Sequence, residues 1–248
     1  MNKSLSPKAT QPASTPSSTN ASPTSNAKTN CKDCHSIEEC AYPSHRGYTY
    51  QHTNRGTSLE PCRYLETWKA NRRLENLQEE ANLPKAYRNL TFKDLHRHSG
   101  NLQATLAATS LSSLYLSGGT NTGKTLLLSV IGTEHIKRGK KVKYTTAAEM
   151  QLELRYNRED CESRLRAYQA IDVLLIDDLG LERPSDYGTE QLYMVLEGRN
   201  RQGNITVIAS PRTLTELKGR YPEGILNKLK QLTEREETLK VANNSQEH

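Results

Sequence analysis

The sequence predicts an α/β protein with a mostly parallel sheet, preceded by a small cysteine-rich domain and a disordered amino-terminal tail. Three observations support this prediction. Helix and strand patterns alternate after about residue 84, a Gly-rich run joins a strand to a helix, and four of the five cysteines lie close together. Strands that alternate with helices are typical of a parallel sheet whose ligand site lies at the carboxyl ends of the strands.

Composition sets the limits of the architecture. The chain has 248 residues, of which 34% are hydrophobic, and its mean hydropathy is −0.80. This is enough for one full domain and a small one with a modest core. Residues 1–30 are rich in Ser, Thr, Pro, Asn and Ala and contain no acidic residue, so we expect them to form the disordered tail.

Charge and hydropathy also restrict the function classes. No apolar run approaches the roughly 20 residues of a membrane span, and the amino terminus lacks the apolar region of a secretory signal. We therefore expect a cytoplasmic protein that does not associate with membranes. The net charge of +6 permits binding to nucleic acid but does not by itself establish it.

The cysteine cluster predicts a zinc-binding domain over residues 31–66. In a reducing compartment disulfides are unexpected, whereas paired thiolates can close a tetrahedral zinc site that holds a small segment together. The predicted ligands are Cys31, Cys34, Cys40 and Cys62. A histidine could replace one of them, Cys40 first, and the candidates are His35, His45 and His52. Ordinary reduced thiols are the alternative, and we expect an inert thiol at Cys161.

The elements that follow are predicted in chain order. Residues 67–83 have the pattern of a helical linker, which Leu83-Pro84 ends, and residues 84–248 form the α/β domain. Its predicted strands are 113–117, 141–145, 173–177 and 205–209. Its predicted helical stretches are 123–138, two within 146–169, 189–201, 213–219 and 222–232.

A phosphate-binding loop is predicted between the first strand and the first helix of that domain. The run from Gly118 to Thr125 has the pattern G-x-x-x-x-G-K-[ST]. Glycines let backbone N–H groups face a triphosphate, Lys124 can reach its β- and γ-phosphates, and the Thr125 hydroxyl can bind Mg²⁺. The predicted nucleotide-binding residues are Gly118, Gly119, Thr120, Asn121, Thr122, Gly123, Lys124, Thr125 and Leu126.

A second motif makes a functional phosphate-binding loop a better explanation than a chance match to the pattern. Four apolar residues, 173–176, lead into Asp177 and Asp178. A buried strand that brings a carboxylate beside the loop is what a P-loop ATPase requires. We expect Asp177 to hold the Mg²⁺ shell together with Thr125, and Asp178 to orient or deprotonate the attacking water. ATP and Mg²⁺ are therefore the expected cofactors, beside Zn²⁺.

These motifs together resemble the bacterial replicative-helicase loaders of the DnaC/DnaI group, which are AAA+ ATPases, and the DnaI type most of all. The likeness covers about residues 31–232. It is carried by the Cys-x2-Cys-x5-Cys spacing, Gly47-Tyr48, Pro61 to Leu65, Leu83-Pro84, Thr91-Phe92, Gly118 to Thr125, Arg138-Gly139 and Leu174 to Gly180.

The resemblance implies a protein that clamps the hexameric replicative DNA helicase and opens it onto single-stranded DNA, as a homo-oligomer when bound to it. It implies that residues 31–66 contact the helicase and that 84–248 is the AAA+ ATPase domain. The ATPase motifs alone also fit the related transposition-helper ATPases. The cysteine segment favours the loader.

The chain departs from the loader pattern at two catalytic positions. Where the family has a sensor Asn, this chain has Ser210-Pro211, and proline offers no polar side chain and no N–H. Where the family has an arginine that acts on the neighbouring subunit, this chain has Lys228, a point charge without a bidentate fork. The second-sensor arginines have no counterpart in residues 241–245. We therefore expect weak or partner-stimulated hydrolysis.

Other functions remain open at this stage. The chain could be a weakly hydrolysing or non-hydrolysing ATP-binding adaptor, a DNA-binding ATPase of the transposition type, or a zinc module that binds nucleic acid directly. The basic residues to test for DNA contact are Lys140, Lys141, Lys143 and Arg155, although a solvated surface explains them equally well.

Overall fold

The computed structural model describes residues 48–54, 56–98, 108–155, 158–233 and 235–238. The predicted tail, and residues 31–47 and 55 of the predicted zinc domain, lie outside these ranges. The chain divides into two compact units, residues 1–68 and 69–248. Within the described ranges, no helix is both long enough and apolar enough to cross a membrane.

The described part of the first unit is a β-hairpin. Strand β1 (Tyr48–Thr53) pairs antiparallel with β2 (Gly56–Pro61), with Tyr48 opposite Pro61 and Thr53 opposite Gly56. Gly56 has φ +127°, a conformation that glycine adopts without steric cost. We predicted no strand here, because only the cysteine spacing was considered. The Tyr and Thr residues of β1 nevertheless favour strand structure.

The second unit is an α/β domain. The remaining elements in chain order are α1 (Leu65–Glu80), a 3-10 turn (Lys85–Tyr87), α2 (Phe92–His98), β3 (Leu114–Ser117), α3 (Lys124–Lys137), β4 (Val142–Thr146), α4 (Ala147–Arg155), α5 (Arg158–Ala170), β5 (Val173–Asp177), α6 (Asp186–Gln202), β6 (Ile205–Ser210), a 3-10 turn (Glu216–Gly219), α7 (Glu223–Leu232) and β7 (Arg235–Thr238).

The sheet has the order β4-β5-β6-β3-β7, and all neighbouring strands are parallel. The predicted mostly parallel sheet between helices is therefore confirmed. Strand β6 lies between β3, which leads into the phosphate loop, and β5, which ends in the acidic pair. Strand β7 was not predicted, because its sequence Arg-Glu-Glu-Thr carries no apolar pattern.

Strands β3, β5 and β6 are buried on both faces. In β5, Val173 and Leu175 belong to one hydrophobic cluster and Leu174 and Ile176 to the other, and all four side chains are 0% exposed. This alternation follows from the two-residue period of a strand. It also explains why these strands appear in the sequence as continuous apolar runs.

The segment after α1 is part of the core. Ala81 and Leu83, which the sequence analysis assigned to a helical linker, are 2% and 1% exposed and pack in the same hydrophobic cluster as α3. The Tyr144 N–H donates to Ala81 O at 2.7 Å, so this segment covers part of the outer edge of β4. Gln78, also buried, donates to Thr133 Oγ1 at 2.9 Å.

Leu83→Ala tests whether this segment stabilises the ATPase core. Removing a side chain that is 1% exposed leaves a cavity between α3 and the sheet. We expect a loss of about 2–5 kcal/mol in the free energy of unfolding, measured by urea denaturation. The control is Leu152→Ala on α4, where the side chain is 54% exposed, and its effect should stay within about 0.5 kcal/mol. Equal effects of the two substitutions would contradict the assignment.

Candidate nucleotide-binding site

The Gly-rich loop connects the carboxyl end of β3 to the first turn of α3. Three of its residues have positive φ: Gly118 at +145°, Asn121 at +61° and Gly123 at +87°. Two are glycines and the third is asparagine, the residue that best tolerates the left-handed region after glycine. The first N–H groups of α3 lack acceptors within the helix, as in any helix, so they are available to an anion held by the loop.

Lys124 lies inside this loop. Its side chain is buried, and Nζ donates to the carbonyl oxygens of Gly118 and Gly119 at 2.7 Å each. Burial lowers the pKa of the Lys124 ammonium, whereas the nearby carboxylates of Asp177 and Asp178 act in the opposite direction. The ammonium is thus fixed at the point where phosphate oxygens would enter the loop.

Asp177 is the most enclosed acid of the site. It ends β5, is 1% exposed, and accepts three hydrogen bonds. Thr125 Oγ1 donates to its Oδ2 at 2.7 Å, Tyr144 OH donates to the same oxygen at 2.9 Å, and the Asp178 N–H donates to Oδ1 at 2.9 Å. Burial and the Asp177 carboxylate raise the pKa of the Tyr144 hydroxyl, so the tyrosine remains a proton donor.

Asp178 differs in its environment from its neighbour. Its backbone has φ +55°, and its side chain lines the cleft beside the loop. Burial and the charge of Asp177 raise the pKa of Asp178, and Lys124 lowers it. A carboxylate whose pKa is raised is a stronger base, and it is therefore better suited to accept a proton from a water molecule.

The turn after Asp178 is held from two directions. Ser210 Oγ donates to Leu179 O at 2.6 Å. The buried carboxylate of Glu182 accepts from the Gly180 N–H at 2.8 Å and pairs with Arg220 at 3.1 Å. Its Oε1 also accepts a hydrogen bond from Tyr221 OH. The segment that follows β6 therefore fixes the turn that carries the acidic pair.

The loop and Asp178 enclose a cleft of about 460 Å³. The lining residues are Tyr87, Thr120, Asn121, Thr122, Gly123, Lys124, Thr125, Leu126, Asp178, Leu181 and Pro211. The structure thus brings together the predicted phosphate loop and the predicted acids. Sequence analysis missed Tyr87 and Leu181, because neither belongs to a motif and Tyr87 precedes the loop by some 30 residues. An aromatic and an aliphatic side chain at the edge of a phosphate site suit the faces of a nucleotide base.

Ser210 and Pro211 are the residues at which the resemblance predicts the sensor. Pro211 lines the cleft and offers no hydrogen-bond donor to it. The Ser210 hydroxyl is buried, donates to Leu179 O and accepts from the Arg212 N–H at 3.0 Å. Ser210 is therefore engaged with the backbone and does not take the place of the missing asparagine side chain.

Lys228 forms an ion pair within its own chain. It lies on α7, and its Nζ is 2.6 Å from Glu197 Oε2 on α6. The hydrogen bond from Lys228 lowers the pKa of Glu197, and Arg201 adds to this effect. The predicted trans-acting cation is thus balanced by a carboxylate of the same subunit.

The four basic residues proposed for DNA contact lie in different environments. Lys140 and Lys141 are exposed just before β4. Lys143 Nζ pairs with Glu153 at 2.9 Å and lies 4.5 Å from the centroid of the Tyr168 ring. Arg155 ends α4 and lines a separate cleft of about 360 Å³ with Arg183 and Tyr187.

Most of the predicted zinc ligands lie outside the described residues, namely Cys31, Cys34, Cys40, His35 and His45. Cys62 is described and is 6% exposed. In the described ranges no group of three or more His, Cys, Asp or Glu side chains is placed to hold a metal. Cys161 is half-buried, and its Sγ lies 3.1 Å from Leu154 O.

Known proteins are similar to this chain in sequence and in fold. The DnaA replication initiator of Wolinella succinogenes is 31% identical over 123 residues, 46% of this chain and 28% of that protein. The replicative helicase loader DnaC of Buchnera aphidicola is 23% identical over 172 residues, 64% of this chain and 70% of the loader. A crystal structure of the DnaC helicase loader superposes with a TM-score of 0.57 at 20% identity, covering 63% of this chain and 100% of that one.

This chain spans less than a third of the length of the DnaA relative, whereas its similarity covers most of the loader. The predicted resemblance to the helicase loaders is confirmed, and the α/β core is of the AAA+ type. The sequence profile of the IstB-like ATP-binding proteins of the IS21 type matches residues 63–247. Because that match covers well over half of the chain, this protein belongs to the family of IstB-like ATP-binding proteins.

Proposed function

We propose that this protein binds ATP with Mg²⁺ and acts as an ATP-dependent loader, which places the hexameric replicative helicase on single-stranded DNA during initiation or restart of replication. The observation that carries the nucleotide part is the convergence of Lys124, Thr125 and Asp177 at one loop. The loader part rests on the similarity to DnaC over 64% of the chain.

The donor set fits a magnesium–nucleotide complex. Magnesium prefers oxygen ligands, usually one or two from the protein with the rest from phosphates and water. Thr125 and Asp177 offer a hydroxyl and a carboxylate 2.7 Å apart. A bound Mg²⁺ would neutralise part of the charge on the β- and γ-phosphates.

Groups of this protein would carry out the remaining steps of nucleotide binding and hydrolysis. Lys124 exchanges its two carbonyl acceptors for phosphate oxygens, and the start of α3 offers its N–H groups to the same anion. Asp178 orients a water molecule against the terminal phosphate. Tyr87 and Leu181 border the cleft where the base would lie.

Hydrolysis should be slow in the isolated protein. Pro211 gives no sensor hydrogen bond, and Glu197 neutralises Lys228. An arginine finger contributes roughly 10³-fold or more to such reactions, so its replacement by a paired lysine removes much of the rate. Assembly on a helicase or on DNA would have to supply the missing charge, which implies a homo-oligomer in that complex.

A DNA-binding ATPase of the transposition-helper type is the second candidate. It is favoured by the profile match over residues 63–247, which belongs to IstB-like proteins. The cysteine-rich segment 31–62 lies entirely before that match and is better explained by a protein partner such as a helicase. A weakly hydrolysing adaptor that recruits a partner without loading it is the third candidate.

Lys124→Ala should weaken nucleotide binding. The substitution removes the ammonium from the loop, and hydrogen bonds to a charged group contribute about 1.5–3 kcal/mol, roughly 10- to 150-fold in Kd. Titration with a fluorescent ATP analogue measures the change. Lys137→Ala, at the far end of the same helix and paired with Glu134, is the control and should bind like the parent. Parental affinity in Lys124→Ala would refute the loop assignment.

Pull-down with the host's replicative helicase tests the loader function. We expect ATP-dependent capture by the parent, loss of capture with Lys124→Ala, and an ATPase rate that rises with helicase or single-stranded DNA. Retention of duplex DNA without any capture of helicase would instead favour the transposition-type ATPase. ATP-dependent capture without transfer of the helicase to DNA would favour the adaptor.

The zinc proposal is tested by metal analysis of the full chain. We expect about one zinc per chain, since four ligands close one tetrahedral site, and loss of zinc with Cys31→Ser or Cys34→Ser. Cys161→Ser is the matched control and should keep its zinc. Equal zinc content in the parent, Cys31→Ser, Cys34→Ser and Cys161→Ser would contradict a site at the cysteine cluster. Zinc that is retained after Cys40→Ser, but lost after Cys31→Ser and Cys34→Ser, would indicate a histidine ligand.

A further inference from the structure

Tyr144 is a buried tyrosine in direct contact with the acid of the nucleotide site. It lies on β4, is 7% exposed, and donates from its hydroxyl to Asp177 Oδ2 at 2.9 Å. The phosphate-loop motif and the acidic motif do not include it. Only the pairing of β4 beside β5 brings its hydroxyl to this carboxylate.

The hydrogen bonds around Asp177 determine which lone pairs remain for a metal ion. Oδ2 accepts from both Thr125 and Tyr144, whereas Oδ1 accepts from the Asp178 N–H. A carboxylate has about four acceptor positions, so the tyrosine occupies one on Oδ2. Because Thr125 gives its proton to Asp177, the lone pairs of its hydroxyl are left for a cation.

The backbone of Tyr144 is itself held in place. Its N–H donates to Ala81 O at 2.7 Å, and β4 is paired with β5 along its length, with Tyr144 opposite Leu175. A hydroxyl on so constrained a backbone fixes the carboxylate that accepts from it. Carboxylates that bind metals are commonly oriented by such outer donors, and removal of a donor typically lowers metal affinity about 10- to 100-fold.

We infer that Tyr144 is a positioning residue of the magnesium–nucleotide site: its hydroxyl orients the Asp177 carboxylate and thereby sets how strongly Mg²⁺ tightens nucleotide binding. This inference rests on the proposed function, since it requires that the loop binds ATP with Mg²⁺. Tyr144 is not among the residues that line the cleft. It acts through Asp177.

The measurement is a ratio of two dissociation constants of a fluorescent ATP analogue. The constant in EDTA is divided by the constant in saturating Mg²⁺. This ratio reports the coupling between metal and nucleotide and cancels general losses of affinity. Tyr144→Phe removes one oxygen atom and keeps the ring. We expect the ratio to fall about tenfold, while the affinity in EDTA stays within about twofold of the parent.

Tyr168→Phe is the matched control. Tyr168 is also a buried tyrosine, 1% exposed, whose hydroxyl donates to a carboxylate, Glu153 Oε2, at 2.7 Å. Its acceptor lies on α4 rather than at the loop, so the ratio should equal that of the parent. A parental ratio in Tyr144→Phe, or an equal fall in both variants, overturns the inference.

The proposed function can fail separately. If the parent binds the analogue neither with Mg²⁺ nor in EDTA, both the function and the inference are wrong. If the parent shows the coupling and Tyr144→Phe keeps it, only the inference is wrong.

A second comparison tests whether Tyr144 acts through Asp177. In Asp177→Asn the buried charge is gone, so adding Tyr144→Phe should leave the ratio as it is in Asp177→Asn alone. A further fall would mean that Tyr144 acts by another route, which overturns the inference.

Discussion

The buried carboxylate of Asp177 is the constraint on which the site depends. A charge that is 1% exposed is strongly destabilising unless donors surround it. Its three donors come from the start of α3, from the middle of β4 and from the backbone directly after β5. These elements meet only if β4 and β5 are neighbours and α3 packs across the sheet. The topology of the sheet therefore brings together the three donors that the buried Asp177 carboxylate requires.

The same acid organises the charges around the loop. Asp177 raises the pKa of Asp178, and both acids oppose the effect of burial on Lys124. The residues from which slow hydrolysis is proposed are held within the same chain. The Ser210 hydroxyl holds the Leu179 turn, Pro211 faces the cleft without a donor, and Lys228 is paired with Glu197. The proposal of slow hydrolysis rests on these three features.

The segment between α1 and the 3-10 turn connects the site to the edge of the sheet. Ala81 accepts from the Tyr144 N–H, Leu83 is buried against α3, and Tyr87 reaches the cleft a few residues later. An uncovered edge strand exposes unpaired backbone groups, and this segment pairs one of those of β4. The covering of the edge and the lining of the nucleotide cleft therefore depend on one short stretch of chain.

The sequence by itself determined what is local. The phosphate loop, the acidic pair and the four strands β3 to β6 occupy short runs whose patterns carry their own physical reasons, namely glycine for positive φ and apolar residues for buried strands. Only the tertiary structure decided the rest. The strand order, the Tyr144–Asp177 hydrogen bond, the position of Tyr87 at the cleft and the Lys228–Glu197 pair join residues some 30 or more positions apart. No periodicity records such contacts, because they arise from the packing of the sheet and not from any one segment.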